Sequence, residues 1–497
     1  MSRLDSIRRP LLGLVFLLAF PLGAWAQPDP GSINDALGGD GPGAEPVAKL
    51  FRDLIEEKSF AELQMLTALL PKGADLHHHY SGSLYVETYM EWVKKAGYKI
   101  NPTTFEVDRD GDQAGSLSVD EVQADADLYR KLLAKWSTKD FETLGEGPAD
   151  KAFFDTFAFF GALASYDYSD GLKRIRDRAI GENVQYIETM LSAVRYFLTR
   201  AQTADLDQKL LDASTPAAVE AELTRIADRL AGTNKFKNAV ERFVELVERN
   251  HDGIDSSAFL MRYQTYAFRN TNPSKVFASL LAGFAAAKDS DLIVGVNLVG
   301  PENGVFSIRD YTLHMRMFQY LRSRYPGVKV SLHAGELAVG DVRPEDLKFH
   351  VRQAVEIAGA KRLGHAIDLP LEDGAIALMK RLRQDEIPVE INLTSNKFIL
   401  GVEGPMHVFG LLKRNKVPMV ISTDDAGVSR NTLASEYLLL AKEQPISYPL
   451  LKELVYNSVK FAFLPAADKR RLKRHLDERF TAFEAAMKDY AKDRAED

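Results

Sequence analysis

Eight short apolar runs that end in polar or small residues constrain the fold of this chain more than any other feature. They cover residues 74–79, 184–188, 259–266, 292–299, 328–333, 362–367, 389–394 and 419–424. The first gap is the widest, and every other gap leaves enough chain for a returning helix, which is typical of parallel strands joined by crossovers. The pattern predicts an α/β fold, a (β/α)8 TIM barrel with an insertion after the first strand. A doubly wound open sheet stays the alternative, because periodicity does not show closure.

The N-terminal residues are typical of an export signal. Arginines at positions 3, 8 and 9 precede an apolar run over residues 11–22, and the Ala-Trp-Ala at 24–26 matches the small-x-small pattern that signal peptidases cut. The run is shorter than the ~20 apolar residues of a membrane anchor. We therefore expect residues 1–26 to be a signal peptide. Because the chain has no cysteine, we expect a secreted protein of the bacterial periplasm rather than a disulfide-rich scaffold.

Three further segments follow this signal. Residues 27–45 are rich in Pro, Gly and Asp and bury too little apolar surface to fold, so we expect a flexible leader. Helical periodicity over residues 46–72 predicts an N-terminal helical segment, which Pro71 and Gly73 end. Residues 73–497 form the predicted barrel domain.

Composition excludes several function classes. The formal net charge is −7 and no long basic run occurs, which argues against nucleic acid as a partner. No stretch beyond the signal is apolar enough to span a bilayer, so we expect no stable membrane insertion after signal cleavage. The absence of cysteine excludes thiolate metal sites and cysteine nucleophiles, which leaves histidine and carboxylates as the ligands of any metal. The oligomeric state is left open.

Imidazoles cluster at the end of the first predicted strand, where the sequence reads DLHHHYSGSL. Strand alternation places His77 and His79 on one face and His78 on the other. Three of the ten histidines of the chain lie here, and strand ends line the active face of a barrel. The pair His77 and His79 therefore predicts a metal site, whereas we assign no function to His78.

Three later strands end in groups of the same kind. The fifth run, in VKVSLHAGE, supplies His333 with Glu336 after it, the sixth supplies His365, and the eighth ends in the adjacent acids Asp424 and Asp425. Closure of a barrel would bring the eighth strand beside the first. A carboxylate buried there needs a cation or a hydrogen-bond donor, and a metal ion satisfies that need.

These groups divide into metal donors and catalytic groups. The predicted donors are His77, His79, His333 and Asp424. Such a nitrogen-rich set suits Zn²⁺, and it predicts one Zn²⁺ per chain. Glu336, His365 and Asp425 are left over for catalysis, whereas a structural zinc site would be closed at four ligands with nothing acidic nearby.

Four motifs, DLHHHYSGSL, SLHAGE, RLGHAI and ISTDDAG, occur in this order and resemble the signature motifs of the adenosine deaminase family. The resemblance covers about residues 71–464 and implies a (β/α)8 barrel with one catalytic zinc ion. It implies an enzyme, a hydrolase of purine salvage that deaminates adenosine and deoxyadenosine to inosine products and ammonia by zinc-hydroxide attack at purine C6. The implied partner is a small-molecule nucleoside.

The resemblance also implies a role for each site residue. It makes the four donors above the metal ligands. Glu336 would be the acid against purine N1, and this role requires a raised pKa, which burial would give. His365 would orient and deprotonate the metal-bound water, and Asp425 would hold the attacking hydroxide and accept a hydrogen bond from the base. Gly300, in GVNLVGPE, matches the glycine whose backbone amide faces N3.

The chain departs from the family pattern in the first motif. Ser81 stands where the family has an aspartate that commonly contacts the sugar, so a shorter, uncharged hydroxyl is expected to contact substrate there. This change keeps open a deaminase of another aminopurine or of an adenine nucleotide. A non-catalytic secreted binding protein on the same scaffold is the third possibility, because fold alone does not fix function.

Two segments of the predicted insertion invite a functional interpretation. Residues 108–121, DRDGDQAGSLSVDE, resemble a calcium loop but carry two extra residues, so we expect a solvated Asp-rich turn. Phe153, Phe157 and Phe160 have helical spacing, which predicts a core helix, with a wall of the base pocket as the alternative.

Overall fold

The computed structural model describes residues 44–496 of the 497-residue chain. The predicted signal peptide (1–26) and all but the last two residues of the predicted leader (27–45) lie outside the described residues. Those two residues, Ala44 and Glu45, are the first residues of a helix. None of the helices between residues 44 and 496 combines the length and the apolarity that a membrane crossing needs.

The strands of the described chain are β1 (Lys72–His79), β2 (Lys99–Ile100), β3 (Val107–Asp108), β4 (Val184–Met190), β5 (Leu260–Phe268), β6 (Ile293–Val299), β7 (Ser331–Ala334), β8 (Arg362–His365), β9 (Val389–Ile391) and β10 (Met419–Ile421). The helices up to β5 are α1 (Ala44–Glu56), α2 (Phe60–Leu69), α3 (Tyr80–Ser83), α4 (Val86–Lys95), α5 (Val119–Ala124), α6 (Ala126–Lys135), α7 (Phe141–Leu144), α8 (Ala149–Phe160), α9 (Tyr168–Gly181), α10 (Arg200–Asp212), α11 (Pro216–Ala231) and α12 (Asn234–His251). The helices after β5 are α13 (Pro273–Asp289), α14 (Val305–Arg324), α15 (His350–Glu356), α16 (Ala375–Gln384), α17 (Leu393–Leu400), α18 (Phe409–Arg414), α19 (Ala426–Ser429), α20 (Leu433–Glu443), α21 (Tyr448–Lys460) and α22 (Ala466–Glu496). Short 3₁₀ helices cover Pro344–Leu347, Leu369–Leu371 and Gly404–Met406.

Eight of these strands close into a barrel. Strands β1, β4, β5 and β6 form one parallel sheet, and β7 to β10 form a second. Two parallel bridges join the sheets, one between Val296 and Val330 and one between His78 and Asp424. The predicted (β/α)8 barrel is therefore confirmed, and the open doubly wound sheet is wrong, because both edges are joined.

The barrel strands are buried because helices cover their outer face and side chains fill the interior. Every residue of β4 is buried, as an apolar run of a parallel sheet requires. Three strands end earlier than their apolar runs predicted, and the first of them, β8, stops at His365, where the backbone turns left-handed (φ 67°). Strand β9 stops at Ile391 because α17 begins at Leu393, and β10 stops at Ile421, before the backbone turns left-handed at Asp424 (φ 64°).

The segment before the barrel consists of two helices rather than one. Helix α1 buries Val47, Leu50, Phe51 and Leu54, the spacing of one helix face. This face packs against α21 and the long C-terminal helix α22. Helix α2 packs against α20, so both N-terminal helices join the layer of helices outside the strands.

The connection between β1 and β4 is the long insertion. It contains the antiparallel pair β2 and β3 and the helices α3 to α9. Its Asp-rich turn is satisfied internally, since the Asp108 carboxylate accepts the backbone N–H groups of Gly111 (2.9 Å) and Gln113 (3.1 Å). The Glu121 carboxylate accepts from the backbone N–H of Ser118 (2.8 Å) as part of a capping box on α5. These acids serve the turn and the helix cap.

Candidate active site

The four predicted metal donors converge at the C-terminal mouth of the barrel. One donor atom from each of His77, His79, His333 and Asp424 lies within 4.8 Å of the others. The His79 Nε2 atom is 3.1 Å from His333 Nε2 and 3.2 Å from an Asp424 carboxylate oxygen. The His77 Nε2 atom is 3.4 Å from the same oxygen and is buried without a hydrogen-bond partner among the described residues.

Barrel closure places Asp424 between the two imidazoles of β1. The Asp424 backbone N–H donates to the His77 carbonyl (2.9 Å), and the Asp424 carbonyl accepts from the His79 N–H (3.0 Å). The left-handed backbone of Asp424 turns its carboxylate into the barrel mouth, a conformation that costs a non-glycine residue roughly 1–2 kcal/mol. The hydrogen bonds across the closing seam offset that strain.

Two of the imidazoles use Nδ1 for a hydrogen bond away from this centre, which leaves Nε2 directed at it. His77 Nδ1 lies 2.7 Å from a carboxylate oxygen of Glu390, to which it donates. His333 Nδ1 lies 3.0 Å from Asn297 Oδ1. That atom is an acceptor, because the backbone N–H of Leu298 also donates to it (2.8 Å). With each Nδ1 committed as a donor, Nε2 is the nitrogen that would bind a metal ion after losing any proton it carries, so the donor set fits a cation.

A buried ionic network supports His77 from below. Glu390 accepts from Arg362 Nε (2.6 Å), and Arg362 reaches Glu188 with its second nitrogen (2.6 Å). Burial alone would raise the pKa of Glu390, but Arg362 and His77 outweigh it and lower that pKa to about 2. Burial alone would lower the pKa of His77, but Asp424 and Glu390 raise it to about 10. The Asp424 and Glu390 carboxylates thus favour positive charge at His77, and a metal ion bound to Nε2 would displace the proton there.

The Glu336 carboxyl faces the same centre in its neutral form. Burial, reinforced by the charges of Asp424 and Glu302, raises the pKa of Glu336 to about 8. Glu302 also fixes the turn, since its carboxylate accepts the backbone N–H groups of Gly335 (3.1 Å) and Glu336 (2.9 Å). Burial alone would raise the pKa of Glu302, but Arg269 and His350 lower it to about 2. The charged Glu302 carboxylate therefore fixes the backbone turn that carries the neutral Glu336 carboxyl.

His365 and Asp425 complete the group. His365 Nε2 lies 3.7 Å from a Glu336 oxygen and 3.9 Å from Asp424 Oδ2. Burial lowers the pKa of His365 to about 3. Burial, against the pull of His79, raises the pKa of Asp425 to about 8, and its Oδ1 atom is buried without a partner among the described residues. Asp425 packs so closely on Gly82 that a Cβ at that glycine would lie 1.5 Å from Oδ1.

A cavity of about 230 Å³ opens above these groups. The predicted residues His79, Ser81, Gly300, His333, Glu336, Asp424 and Asp425 line it. Gly300 has φ +99°, and a Cβ there would come within 2.5 Å of the Phe268 ring, so the position requires glycine. The Ser81 carbonyl accepts from the Tyr89 hydroxyl (2.7 Å), and no hydrogen bond occupies the Ser81 side chain among the described residues.

Aromatic and aliphatic side chains form the remaining wall of the cavity. Phe153 and Phe157 of α8 line the cavity together with Phe154, whereas Phe160 stacks on Tyr89 away from it (ring centroids 4.6 Å apart). The helical spacing of phenylalanines thus serves both the core and the cavity. Tyr266, Phe268, Val299 and Ile399 complete the wall.

The sequence interpretation missed the partners that orient the site. Glu390, Asn297, Asn396 and Glu302 were not singled out. A signal existed for both residues, since Glu390 is the one charged residue and Asn297 the one polar residue of their predicted strands, where each needs a partner. Asn396 lies on α17 and gave no such signal, because that helix overlaps the end of the predicted strand.

Comparisons with known proteins identify the class. The closed (β/α)8 barrel carries histidine and carboxylate groups at its mouth, and solved structures share its fold. An apo N6-methyl-AMP deaminase from Arabidopsis thaliana is 19% identical with a TM-score of 0.54, covering 84% of this chain and 98% of that one. An amidohydrolase from Burkholderia ambifaria, solved with bound zinc, is 14% identical with a TM-score of 0.52, covering 85% and 94%.

The family follows from the sequence comparison. The family described as adenosine deaminase matches residues 226–479, just over half of the chain. The protein belongs to the adenosine deaminase family. An adenosine deaminase from Haemophilus ducreyi is 32% identical over 192 residues, 38% of this chain and 50% of that protein. The chain spans about half the length of the curated relatives it matches. The matched range includes His333, Glu336, His365 and Asp424, whereas His77 and His79 precede it.

Proposed function

We propose that the protein is a zinc-dependent hydrolase that deaminates adenosine and deoxyadenosine to the corresponding inosine nucleosides and ammonia. The observation that carries the proposal is the cluster of four metal donors, three of which line one cavity together with the neutral carboxyl of Glu336. Membership of the adenosine deaminase family supports the same activity.

His77, His79, His333 and Asp424 would hold the metal ion. Three nitrogen donors and one oxygen suit zinc, and the zinc-bound barrel from Burkholderia ambifaria supports this choice. When bound, the ion would supply a nucleophilic oxygen near neutral pH by lowering the pKa of bound water from 15.7 to about 7.

The residues of the chain supply the proton and the orientation. As electrons move onto the purine ring, the neutral Glu336 carboxyl donates its proton to ring nitrogen N1, which stabilises the product of attack at C6. Asp425 offers a buried oxygen without a partner to a donor on the base or the reacting oxygen. Phe153, Phe154 and Phe157 exclude water and contact the flat face of the base. The C6–N bond then breaks as the proton of the new C6 hydroxyl passes to the amino group, which leaves as ammonia. The proton that the attacking water gave up returns to Glu336 and restores its neutral form.

The cavity favours a nucleoside over a nucleotide. No lysine or arginine is among the described residues that line it, so a phosphate would find no cation to replace its hydration. The Arabidopsis relative is named for a nucleotide substrate. For this chain we expect AMP to be a poor substrate, because its phosphate would lie against an apolar, aromatic wall.

The test is an assay of the purified, zinc-loaded protein with adenosine, deoxyadenosine, AMP, adenine and guanine nucleosides, following ammonia release. We expect the highest kcat/KM with adenosine or deoxyadenosine and about one zinc ion per chain by metal analysis. Release of ammonia from AMP alone would transfer the proposal to nucleotides. No release from any aminopurine would leave a binding protein on this scaffold.

We also propose that the protein acts in the bacterial periplasm, where it would meet nucleosides after their dephosphorylation. The support is the export pattern of residues 1–26 and the lack of cysteine. Cell fractionation with N-terminal sequencing of the mature protein tests this, and a cytoplasmic protein that retains residues 1–26 would contradict it.

A further inference from the structure

The imidazole of His365 is held on its rear side by amide groups. Its Nδ1 atom lies 2.9 Å from the side-chain nitrogen of Asn396 and 3.4 Å from that of Asn392. All three side chains are buried. An amide nitrogen carries only donor hydrogens, so a proton on Nδ1 would oppose the donors that face it.

The orientation of the Asn396 amide is fixed from its far end. Asn396 Oδ1 lies 3.1 Å from His407 Nε2, and the backbone N–H of Phe409 donates to His407 Nδ1 (3.1 Å). A backbone N–H is always a donor, so His407 Nδ1 is unprotonated. Burial lowers the pKa of His407 to about 4, and a neutral ring with a bare Nδ1 carries its proton on Nε2. His407 therefore donates to Asn396 Oδ1.

The reverse orientation of the Asn396 amide is excluded, because a neutral His407 ring could not satisfy it. Exchanging oxygen and nitrogen in Asn396 would direct its N–H groups at His407 Nε2 while Phe409 still donates to His407 Nδ1. His407 would then need lone pairs on both nitrogens, which is an imidazolate rather than a neutral ring. Every hydrogen bond from Phe409 to His365 thus runs in one direction.

We propose that Asn396 and His407 are positioning residues that keep the imidazole proton of His365 on Nε2, so that His365 presents a hydrogen-bond donor between Glu336 and Asp424, which line the cavity, and is not a metal ligand. The Nε2 atom is buried without a partner among the described residues, between Glu336 and Asp424. Its N–H is free to donate to the oxygen that attacks the substrate. Only this last role rests on the proposed deaminase function.

The proposal differs from the role that the family resemblance implies for His365. A base needs a lone pair on the nitrogen that faces the water, and the hydrogen-bond chain leaves that lone pair on Nδ1 instead. The same hydrogen bonds decide between two groups of side chains that could each hold a metal ion. His365, Glu336 and Asp424 also lie close enough to hold an ion, but a protonated Nε2 binds none. The structure therefore supports one ion at the barrel mouth.

The first test is spectroscopic and needs no activity. The zinc-loaded full chain, labelled with ¹⁵N-histidine, is compared with its His365→Ala variant to assign the His365 signals. We expect a one-bond N–H coupling on Nε2 and the ¹⁵N shift of a bare nitrogen on Nδ1. A protonated Nδ1 with a bare Nε2 would overturn the proposal, whether or not the protein deaminates any substrate.

The second test moves the proton. Asn396→Asp replaces the donor with a carboxylate of the same shape, so the proton should transfer to Nδ1. We expect kcat to fall about 10²–10³-fold, the usual cost of losing one donor to the reacting oxygen, with KM and zinc content nearly unchanged. His407→Gln retains an N–H for Asn396 Oδ1 and should keep both the Nε2 signal and most of kcat.

The outcomes separate the two proposals. An Asn396→Asp variant with a native spectrum and native kcat would refute the positioning role. A wild-type protein that shows the expected spectrum but releases no ammonia from any aminopurine would refute the proposed function alone. If Asn396→Asp does not fold, the wild-type spectrum and the His407→Gln variant still decide.

Discussion

His333 and His365 end neighbouring strands, yet the structure holds their rings in opposite ways. On the β7 side, the Nδ1 atom of His333 meets the oxygen of Asn297 (3.0 Å). On the β8 side, the Nδ1 atom of His365 meets the nitrogen of Asn396 (2.9 Å). The same pair of residue types therefore leaves a lone pair on one Nε2 and a proton on the other.

The difference teaches how one barrel mouth separates metal ligands from catalytic groups. Backbone N–H groups decide both cases, since Leu298 fixes the oxygen of Asn297 and Phe409 fixes the proton on His407. Neither histidine is distinguished by exposure, because both are buried. The partner of the rear nitrogen assigns the role of the front nitrogen.

The largest effect is expected from removing His333, the predicted metal ligand of the pair. His333→Ala should abolish zinc binding and with it all measurable deamination, because the remaining three donors hold the ion weakly. Metal analysis of the dialysed protein and an ammonia assay measure both. His365→Ala is the matched control, which should retain about one zinc ion per chain. Loss of zinc in that control would make His365 a ligand and end the comparison.

Glu336 follows His333 in the chain and lies near His365, and its substitution tests whether its carboxyl is the acid that protonates the base. Glu336→Gln should keep zinc and lose about 10²–10⁴-fold in kcat, because an amide supplies no proton to ring nitrogen. The active form of Glu336 is protonated, so the native rate should be full below its pKa and decline as the pH rises through about 8. A pH–rate profile of both proteins checks this, and a near-native rate in the variant would remove Glu336 from the mechanism.

A smaller effect is expected at the support of His77. Glu390→Gln removes the charge that accepts from His77 Nδ1 and from Arg362. Zinc affinity should fall about 10–100-fold, the usual cost of losing the partner of a metal ligand. Glu484→Gln is the control, since it removes a buried carboxylate that contacts Tyr448 and Lys452 far from the site. Equal zinc affinities in the two variants would show that Glu390 does not orient His77.

The smallest change in activity is expected at Ser81, which lines the cavity and contacts neither His333 nor His365 through a hydrogen bond. Ser81 is uncharged, so it gives a sugar hydroxyl less than the 1.5–3 kcal/mol of a hydrogen bond to a charged group. We expect weak discrimination between adenosine and 5′-deoxyadenosine, and a gain of about tenfold in preference for adenosine in Ser81→Asp. The ratio of kcat/KM values measures it. A native protein that already prefers adenosine strongly would refute the expectation.

The sequence by itself determined the eight parallel strands and the chemistry at their ends, whereas the bridges that close the barrel were decided by the tertiary structure. Apolar runs with polar ends reveal parallel strands because burial on both faces demands continuous hydrophobicity, and the polar ends mark the rim. His77, His79, His333 and Asp424 were therefore predictable as a group, since barrel closure alone makes the first and last strands neighbours. The raised pKa of Glu336 likewise followed from burial of an acid at that rim.

Only the tertiary structure decided which histidine nitrogen carries the proton. The side chains that contact the rear nitrogens of these rings lie on other strands, on α17 or directly before it. They are separated from the histidines by 27 or more residues in the sequence, and they are Glu390, Asn297, Asn396 and Asn392. No periodicity encodes such a contact, because it depends on side-chain direction and on a backbone N–H at the far end of the chain of hydrogen bonds. Strand patterns specify where side chains emerge, and packing specifies what each one meets.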